Sequence, residues 1–377
     1  MQIEGVPEFG VGIVGFGFIG KVHAYGFRNL SLFYNPPPAT CRLVGVCTSR
    51  EETAERARQI GGFDFGTTRF EDLLERDDIQ VISIATPNSL HRDQVIAALE
   101  AGKHVYCDKP LTISLDDARA MLGTAQAHPD LATGMPFQCR FSPAVMRAKS
   151  LIEDGFLGQV YHFRGAYLHA GYTDPKRPRT WRLDEGGGCL ADLGSHIIDL
   201  MRHLLGEYAE VRGTTKTWIT ERPSLDNPAK MVPVDVDDYV CLEARLRSGA
   251  IGFIEASRFA TGVQDHVEFI IHGERGALKW NMMDPNYLYA YEAGSEPEGF
   301  TAIPTVQSYP PPSALPSPKL PVGWMRFHLH SVCDFMTAVA TGARNTSTLH
   351  DGAAAQAVDH AVRLSADSGA WEPVPEV

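Results

Sequence analysis

The run Gly15-Phe16-Gly17-Phe18-Ile19-Gly20 directly follows an apolar stretch, Val11 to Val14, and opens a segment of helical character, Lys21 to Leu32. No other feature constrains the fold as much. In a strand, turn and helix of this kind, Gly15 permits the tight turn, Gly17 lets the backbone approach a pyrophosphate, and Gly20 lets the helix pack close to a sheet. The helix N-terminus adds free N–H groups and the positive end of its dipole. Three glycines at this spacing elsewhere would be an ordinary turn. In this setting they predict a dinucleotide site on an α/β sheet.

The chain has 377 residues, 44% of them apolar, which is too long for one ordinary core and long enough for two. A formal charge of −12 with no basic stripe points away from nucleic acid and toward a small-molecule partner. The first ten residues carry no basic region followed by an apolar stretch, and no apolar run approaches the roughly 18 residues of a membrane span. The expectation is a cytoplasmic protein with no membrane partner. Its seven cysteines are odd in number and mostly set in apolar runs, so they read as buried thiols rather than a disulfide framework or a metal site.

From Val11 to about Thr133, short apolar runs alternate with helical stretches. The predicted strands are Val11 to Gly15, Arg42 to Cys47, Val81 to Ala85, His104 to Cys107 and Leu131 to Met135. Helices are predicted for Glu52 to Ile60, Phe70 to Glu75, Ser89 to Ala101 and Leu115 to Ala127. Apolar strands separated by helices imply a doubly wound parallel sheet, a Rossmann-type domain over residues 1–135. Beyond Pro136 the strands come closer together (Val160 to Tyr167, Val211 to Ile219, Tyr239 to Leu246, Ala250 to Ser257, Val267 to Ile271 and Leu278 to Trp280), with turns such as Ser248-Gly249 between them. This α+β pattern predicts an open, mainly antiparallel sheet in a second domain, 136–377, whose C-terminal helices can pack back on the first. The Pro- and Ser-rich segment Thr305 to Pro321 reads as a surface loop or lid.

Three constellations carry polar chemistry. Lys109 lies in Asp108-Lys109-Pro110 at the carboxyl end of a parallel strand, the edge where ligands bind in open α/β sheets. Position alone also fits a solvated lysine. In the segment Gly186 to His203, residues Asp192, His196, Asp199 and His203 fall within roughly 60° of one another on an ideal helix, opposite a continuous apolar stripe. Asp192 and His196, four residues apart, are then in reach of each other, and the carboxylate would orient the ring and raise its basicity. The third is Ala85-Thr86-Pro87-Asn88-Ser89-Leu90-His91, a strand-to-helix loop on the edge that carries Gly15 to Gly20. Thr86 and Asn88 suit either helix capping or contact with a nucleotide.

Taken in order, these residues resemble the family of glucose-fructose oxidoreductase and inositol dehydrogenase, the Gfo/Idh/MocA family. The glycine-rich turn, ATPN with a histidine three residues on, an EKP-like tripeptide and the GGG…Asp…Gly…His helix all follow the family's order across the whole chain. The resemblance implies an N-terminal Rossmann domain and a second domain whose open sheet serves substrate binding and oligomer contacts, in a homodimer or homotetramer. It implies a catalytic set of Lys109, Asp192 and His196, with Asp108 in place of the usual glutamate. The implied NAD(P) contacts are Gly15, Gly17, Phe18, Ile19, Gly20, Thr48, Ser49, Arg50, Ala85, Thr86, Pro87, Asn88, His91, Asp108, Lys109 and Gln138. The implied substrate is a sugar or polyol, held in a cleft between the domains by Lys109, Tyr167, His169, Trp181, Arg182, Asp192 and His196.

Physical requirements give these residues roles. Loss of hydride from a carbinol carbon requires that its hydroxyl lose a proton, so a base must reach that oxygen while the C–H faces the nicotinamide. His196, steadied by Asp192, suits the base, and Lys109 would donate to the same oxygen as alkoxide charge develops. Trp181 and Tyr167 could stack on a sugar face, and Arg182 could read a hydroxyl or a carboxylate. Lys176, Arg177 and Arg179 read as solvated surface rather than a phosphate site. Where a dinucleotide fold often places an acid on the ribose 2′-hydroxyl stands Thr48, with Arg50 nearby, so NADP and NAD both stay open. Redox-assisted glycoside cleavage or epimerisation with retained NAD, and a catalytically silent nucleotide-binding regulator, are the alternatives.

Overall fold

A computed structural model describes residues 3–296, 298–306, 314–317 and 319–377. The chain divides into two compact units, one of residues 1–112, 116–141 and 307–353, the other of 113–115, 142–306 and 354–377.

In the first unit the elements run β1 (Glu8–Val14), α1 (Phe18–Phe33), β2 (Thr40–Cys47), α2 (Glu51–Gly61), β3 (Phe65–Thr67), α3 (Glu71–Leu74), β4 (Val81–Ile84), α4 (His91–Glu100), β5 (His104–Cys107), α5 (Leu115–Ala127) and β6 (Thr133–Gly134). The strands form one parallel sheet in the order β3-β2-β1-β4-β5-β6. All four residues of β4 are buried, as expected of a strand covered on both faces. The order reverses between β1 and β4, and Val14 pairs with both Cys47 and Ile84, so neighbouring strands end at one level. The glycine-rich turn, the loop after β4 and Asp108 to Pro110 therefore lie side by side on one carboxyl edge. That edge is the usual ligand position of such sheets.

Strand β3 escaped the sequence reading because three residues are too few to display a period. Helix α8 (Trp324–Thr341) packs on α1, and its Phe335 and Met336 join Phe27, Leu30 and Tyr106 in a single buried cluster. Each such side chain contributes about 1.5–3 kcal/mol through burial. Of the segment expected to be a loop, residues 307–313 and 318 lie outside the described residues.

The second unit contains α6 (Pro143–Glu153), β7 (Val160–Leu168), α7 (Ser195–Leu205), β8 (Tyr208–Lys216), β9 (Glu221–Pro223), β10 (Met231–Pro233), β11 (Tyr239–Leu246), β12 (Ile251–Ser257), β13 (His266–Gly273), β14 (Gly276–Asn281), β15 (Tyr287–Glu292), β16 (Thr301–Pro304) and β17 (Glu372–Pro373). Helix α9 (Leu349–Ser368) begins in the first unit and continues here. Strands β9 and β10 form a separate hairpin. The other nine make one sheet, β16-β15-β14-β13-β7-β12-β11-β8-β17, antiparallel except for the β7–β12 pair.

Strict alternation in β11 sends Val240, Leu242, Ala244 and Leu246 to one buried face. Ile197 and Met201 of α7 close over Gly165 on that face. The opposite face presents Arg164, Phe253, Glu255, Glu268, Ile270 and Lys279. Helix α6, opened by Pro143 at its first turn, and strands β15 and β16 were not anticipated from the sequence. No helix among the described residues is long and apolar enough to cross a membrane.

Candidate active site

Gly15 has φ +84°, and a Cβ there would sit 2.5 Å from the carbonyl oxygen of Ala85. Only glycine fits. A Cβ on Gly20 would fall 2.2 Å from the Gly15 carbonyl, whereas one on Gly17 would meet nothing within 4 Å. Gly17 is the N-cap of α1, and no side chain caps that end. The turn is thus closed beneath and open above, with the helix amides directed at the open side. This cradle fits a pyrophosphate. Phe18, 70% exposed, flanks it and stacks on Trp324 at 5.8 Å between ring centroids.

At the end of β2, the Thr48 hydroxyl bonds to Thr53 (2.7 Å) and to the Arg50 carbonyl (3.2 Å). Ser49 and Arg50 are exposed, and the Arg50 guanidinium makes no ion pair among the described residues. In the loop after β4 the capping expectation fails. Thr86 bonds to Oε1 of Gln94 (2.7 Å), Asn88 donates to the Thr112 carbonyl (3.3 Å), and neither short helix there has a side-chain cap. A 3₁₀ turn over Asn88–Leu90 leads into α4.

His91 is buried, with Nδ1 3.0 Å from the Leu111 carbonyl and Nε2 2.9 Å from that of Thr86. The ring therefore braces the Ala85–Pro87 loop against the chain just past Pro110. Burial holds its pKa below the ordinary range, and a neutral ring donates to only one of these carbonyls at a time. Asp108 is buried and Lys109 half-buried beside it. Gln138 is also buried, and its Oε1 has no hydrogen-bond partner among the described residues. An orphaned acceptor of this kind fits a ligand's donor.

In the second unit, residues Leu190–Gly194 form a π-helical turn before α7 begins at Ser195. The even 100° spacing that put Asp192 and His196 on one stripe does not hold through this turn, because a π turn accommodates an extra residue. The stripe itself is not a solvated face, since Asp192, His196 and Asp199 are all buried.

Asp192 is held by two arginines. Nη2 of Arg258 lies 3.0 Å from its Oδ2, and Nε of Arg182 lies 3.5 Å from the same oxygen. The imidazole of His196 packs against Tyr167 at 5.6 Å, and Tyr167 against His169 at 6.4 Å. His169 accepts the Gly171 N–H at Nδ1, and burial lowers its pKa. Trp181 lies under the Arg182 guanidinium at 4.5 Å. Tyr167, His169, Trp181, Arg182, Asp192 and His196 thus belong to one unit, and Lys109 with the nucleotide cradle to the other.

Residues 9–133 match the family model described as an oxidoreductase family with an NAD-binding Rossmann fold, and residues 145–279 match the GFO/IDH/MocA C-terminal domain. The chain belongs to the Gfo/Idh/MocA family. It is therefore an NAD-binding oxidoreductase, as the ordered motifs implied. It is 34% identical to a levoglucosan dehydrogenase of Pseudarthrobacter phenanthrenivorans over 99% of its own length and 100% of the relative's. A 1,5-anhydro-D-fructose reductase of Ensifer adhaerens is 32% identical, over 62% of this chain and 66% of that one. A solved levoglucosan dehydrogenase in complex with NADH and L-sorbose superposes with a TM-score of 0.94 at 34% identity, covering 99% of this chain and 100% of that one. A complex of levoglucosan dehydrogenase with NADH and levoglucosan gives the same TM-score and identity, covering 98% of this chain and 100% of that one.

Sequence reasoning missed Arg258, which holds Asp192, Asp237, whose Oδ2 accepts the Leu190 N–H of the π turn at 2.6 Å, and Trp324, which stacks on Phe18. None carries a local signature. Arg258 follows a strand like any surface arginine, Asp237 sits in an acidic loop, and Trp324 lies more than 300 positions from the glycine turn it flanks. Only the packing of distant segments brings Arg258 and Asp237 to the π turn, and Trp324 to the glycine turn.

Proposed function

We propose that this oxidoreductase is an NAD-dependent dehydrogenase of a neutral cyclic sugar, an anhydrosugar of the levoglucosan type being the first candidate. One observation carries the reading: the end-to-end similarity to a levoglucosan dehydrogenase and to solved levoglucosan dehydrogenase complexes that hold NADH with L-sorbose or with levoglucosan. One feature of the second unit supports it: Arg182 is already engaged by Asp192, which argues against its reading a substrate carboxylate. Tyr167 is only 9% exposed, so of the two aromatics expected to stack on a sugar it is Trp181 that keeps accessible ring surface.

Bound nicotinamide supplies the hydride acceptor. The ammonium of Lys109 donates to the reacting hydroxyl oxygen and stabilises the charge that develops there. His196 takes the hydroxyl proton, and Asp192, fixed by its arginines, orients substrate and base. The deciding assay measures NADH formation from NAD with levoglucosan, 1,5-anhydroglucitol, myo-inositol and glucose. Turnover with the anhydrosugars is expected, and no NADH from any of the four would sink the reading.

NAD rather than NADP is proposed because the solved relatives at 34% identity were obtained with NADH. NADH should bind at least as tightly as NADPH, and Arg50→Ala should leave NADH binding nearly unchanged. If Arg50 instead holds a 2′-phosphate, its removal would weaken NADPH alone by about 1–3 kcal/mol. A strong NADPH preference in the parent protein, abolished by that change, would reverse the assignment.

The open sheet face is proposed as a homodimer interface. It combines Phe253 and Ile270 with Arg164, Lys279, Glu255 and Glu268, a set that can satisfy itself across a two-fold axis. Phe253→Glu should convert a dimer to a monomer in sedimentation equilibrium. A monomeric parent protein at micromolar concentration would dispose of the idea. A cytoplasmic location is proposed on the seven free cysteines, five of them buried.

A further inference from the structure

We infer that Arg258 is the positioning residue for Asp192, fixing the carboxylate and tying it to the substrate-side loop of residues 169–185. The inference rests on the proposal that Asp192 serves the reaction. Arg258, just beyond β12, is fully buried. A guanidinium in such a place must be paired and hydrogen-bonded. Its Nη2 meets Oδ2 of Asp192 at 3.0 Å, and its Nη1 donates to the Arg182 carbonyl at 3.1 Å. One rigid fork thus spans the π turn and the loop.

The plane of the fork rests on the Tyr172 ring at 4.6 Å, with Arg177 over the same ring at 4.1 Å. The Tyr172 carbonyl accepts a hydrogen bond from the buried Arg222 (2.6 Å), so the loop residue beneath the fork is itself pinned.

The π turn is held from the other side by neighbours of the same strand ends. Oδ2 of Asp237 accepts the Leu190 N–H (2.6 Å) and its carbonyl accepts that of Cys189 (2.8 Å), while Arg258 donates its own N–H to the Asp238 carbonyl (3.0 Å). Arg363 in turn approaches Oδ1 of Asp237 at 3.4 Å. Asp192 is therefore fixed both in backbone and in carboxylate. Arg258 and Arg182 meet the same oxygen, Oδ2, which sets the rotation of the group. His169 and Cys189 also feel the charge of Asp192. A lysine at 258 would supply charge but not the two directed hydrogen bonds.

The test uses full-length protein with NADH bound and four variants: Arg258→Lys, Arg258→Met, Asp192→Asn and the double variant Arg258→Met with Asp192→Asn. Melting temperature comes first, because it needs no substrate. Arg258→Met should fall by about 5 °C or more, because a buried carboxylate loses the nearer and fully buried one of its two cations, and the double variant should fall no further. Additive losses would overturn the pairing.

Turnover of levoglucosan, or of whichever sugar in the panel above reduces NAD, comes second. Arg258→Met should lose about 100-fold or more in kcat/KM with NADH affinity unchanged, and the acid limb of its pH profile should move to higher pH. Arg258→Lys should keep the acid limb in place while recovering only part of the rate. An active Asp192→Asn would remove the role of Asp192 itself. An inactive Asp192→Asn beside an Arg258→Met of normal rate and profile would remove the role of Arg258 alone.

Discussion

Replacing Lys109 with methionine should cut sugar oxidation by about 10²-fold or more, the scale of a lost electrostatic or acid–base group, while lowering NADH affinity far less and leaving melting temperature nearly unchanged. The side chain is half-buried at the carboxyl edge of β5, level with the glycine turn and the Ala85–His91 loop, and methionine keeps its apolar stem. What the variant loses is a donor and a charge. That charge already registers in the first unit, since burial chiefly, and then His23 and Lys109, hold the pKa of the enclosed His328 far below its ordinary value. Steady-state kcat, NADH titration by fluorescence and a thermal melt decide the matter together. Near-normal kcat would return Lys109 to the role of a solvated strand-end residue.

A comparable loss is expected at the other half of the chemistry. His196→Ala and Asp192→Asn should each reduce turnover by about 10²-fold or more, and the double variant should lose much less than the product of the two, because groups that serve one proton transfer fail together. The arginine clamp changes what each substitution does. Asp192→Asn leaves the fully buried Arg258 facing a neutral amide, so that variant should also melt lower, whereas His196→Ala, which removes a ring packed on Tyr167, leaves the Arg258–Asp192 pair in place. Rates that multiply cleanly would show that the two residues act independently.

Most of the fold of the first unit was legible because its signals are local. The strand before Gly15, the helix after Gly20 and the apolar runs at Val81 and His104 each state their identity within a dozen residues, and β5 and α5 fall where the pattern places them. Strands of the second sheet with clear alternation, such as β11, were equally readable. Even the two-residue β6 fell inside the predicted strand Leu131 to Met135, whereas the short β3 and the aromatic β15 lay at or below the length and contrast that periodicity needs.

The candidate site divides along the same line. Gly15, Gly17, Gly20, Lys109, Asp192 and His196 were named from spacing, order and family resemblance, because chemistry of this kind restricts residue type at fixed offsets along one strand, turn or helix. The π turn at Leu190–Gly194, the double guanidinium hold on Asp192 and the bracing of two loops by His91 were not legible. They depend on which distant segments meet. Asp192 and Arg258 are 66 positions apart, and His91 and Leu111 are 20 apart, so no local period links them. The sequence by itself determined the elements with strong local signals, the family and the residue types able to do the chemistry. Only the tertiary structure decided which buried charges pair, because the cost of burying an ion is set by whatever partner the fold brings to it.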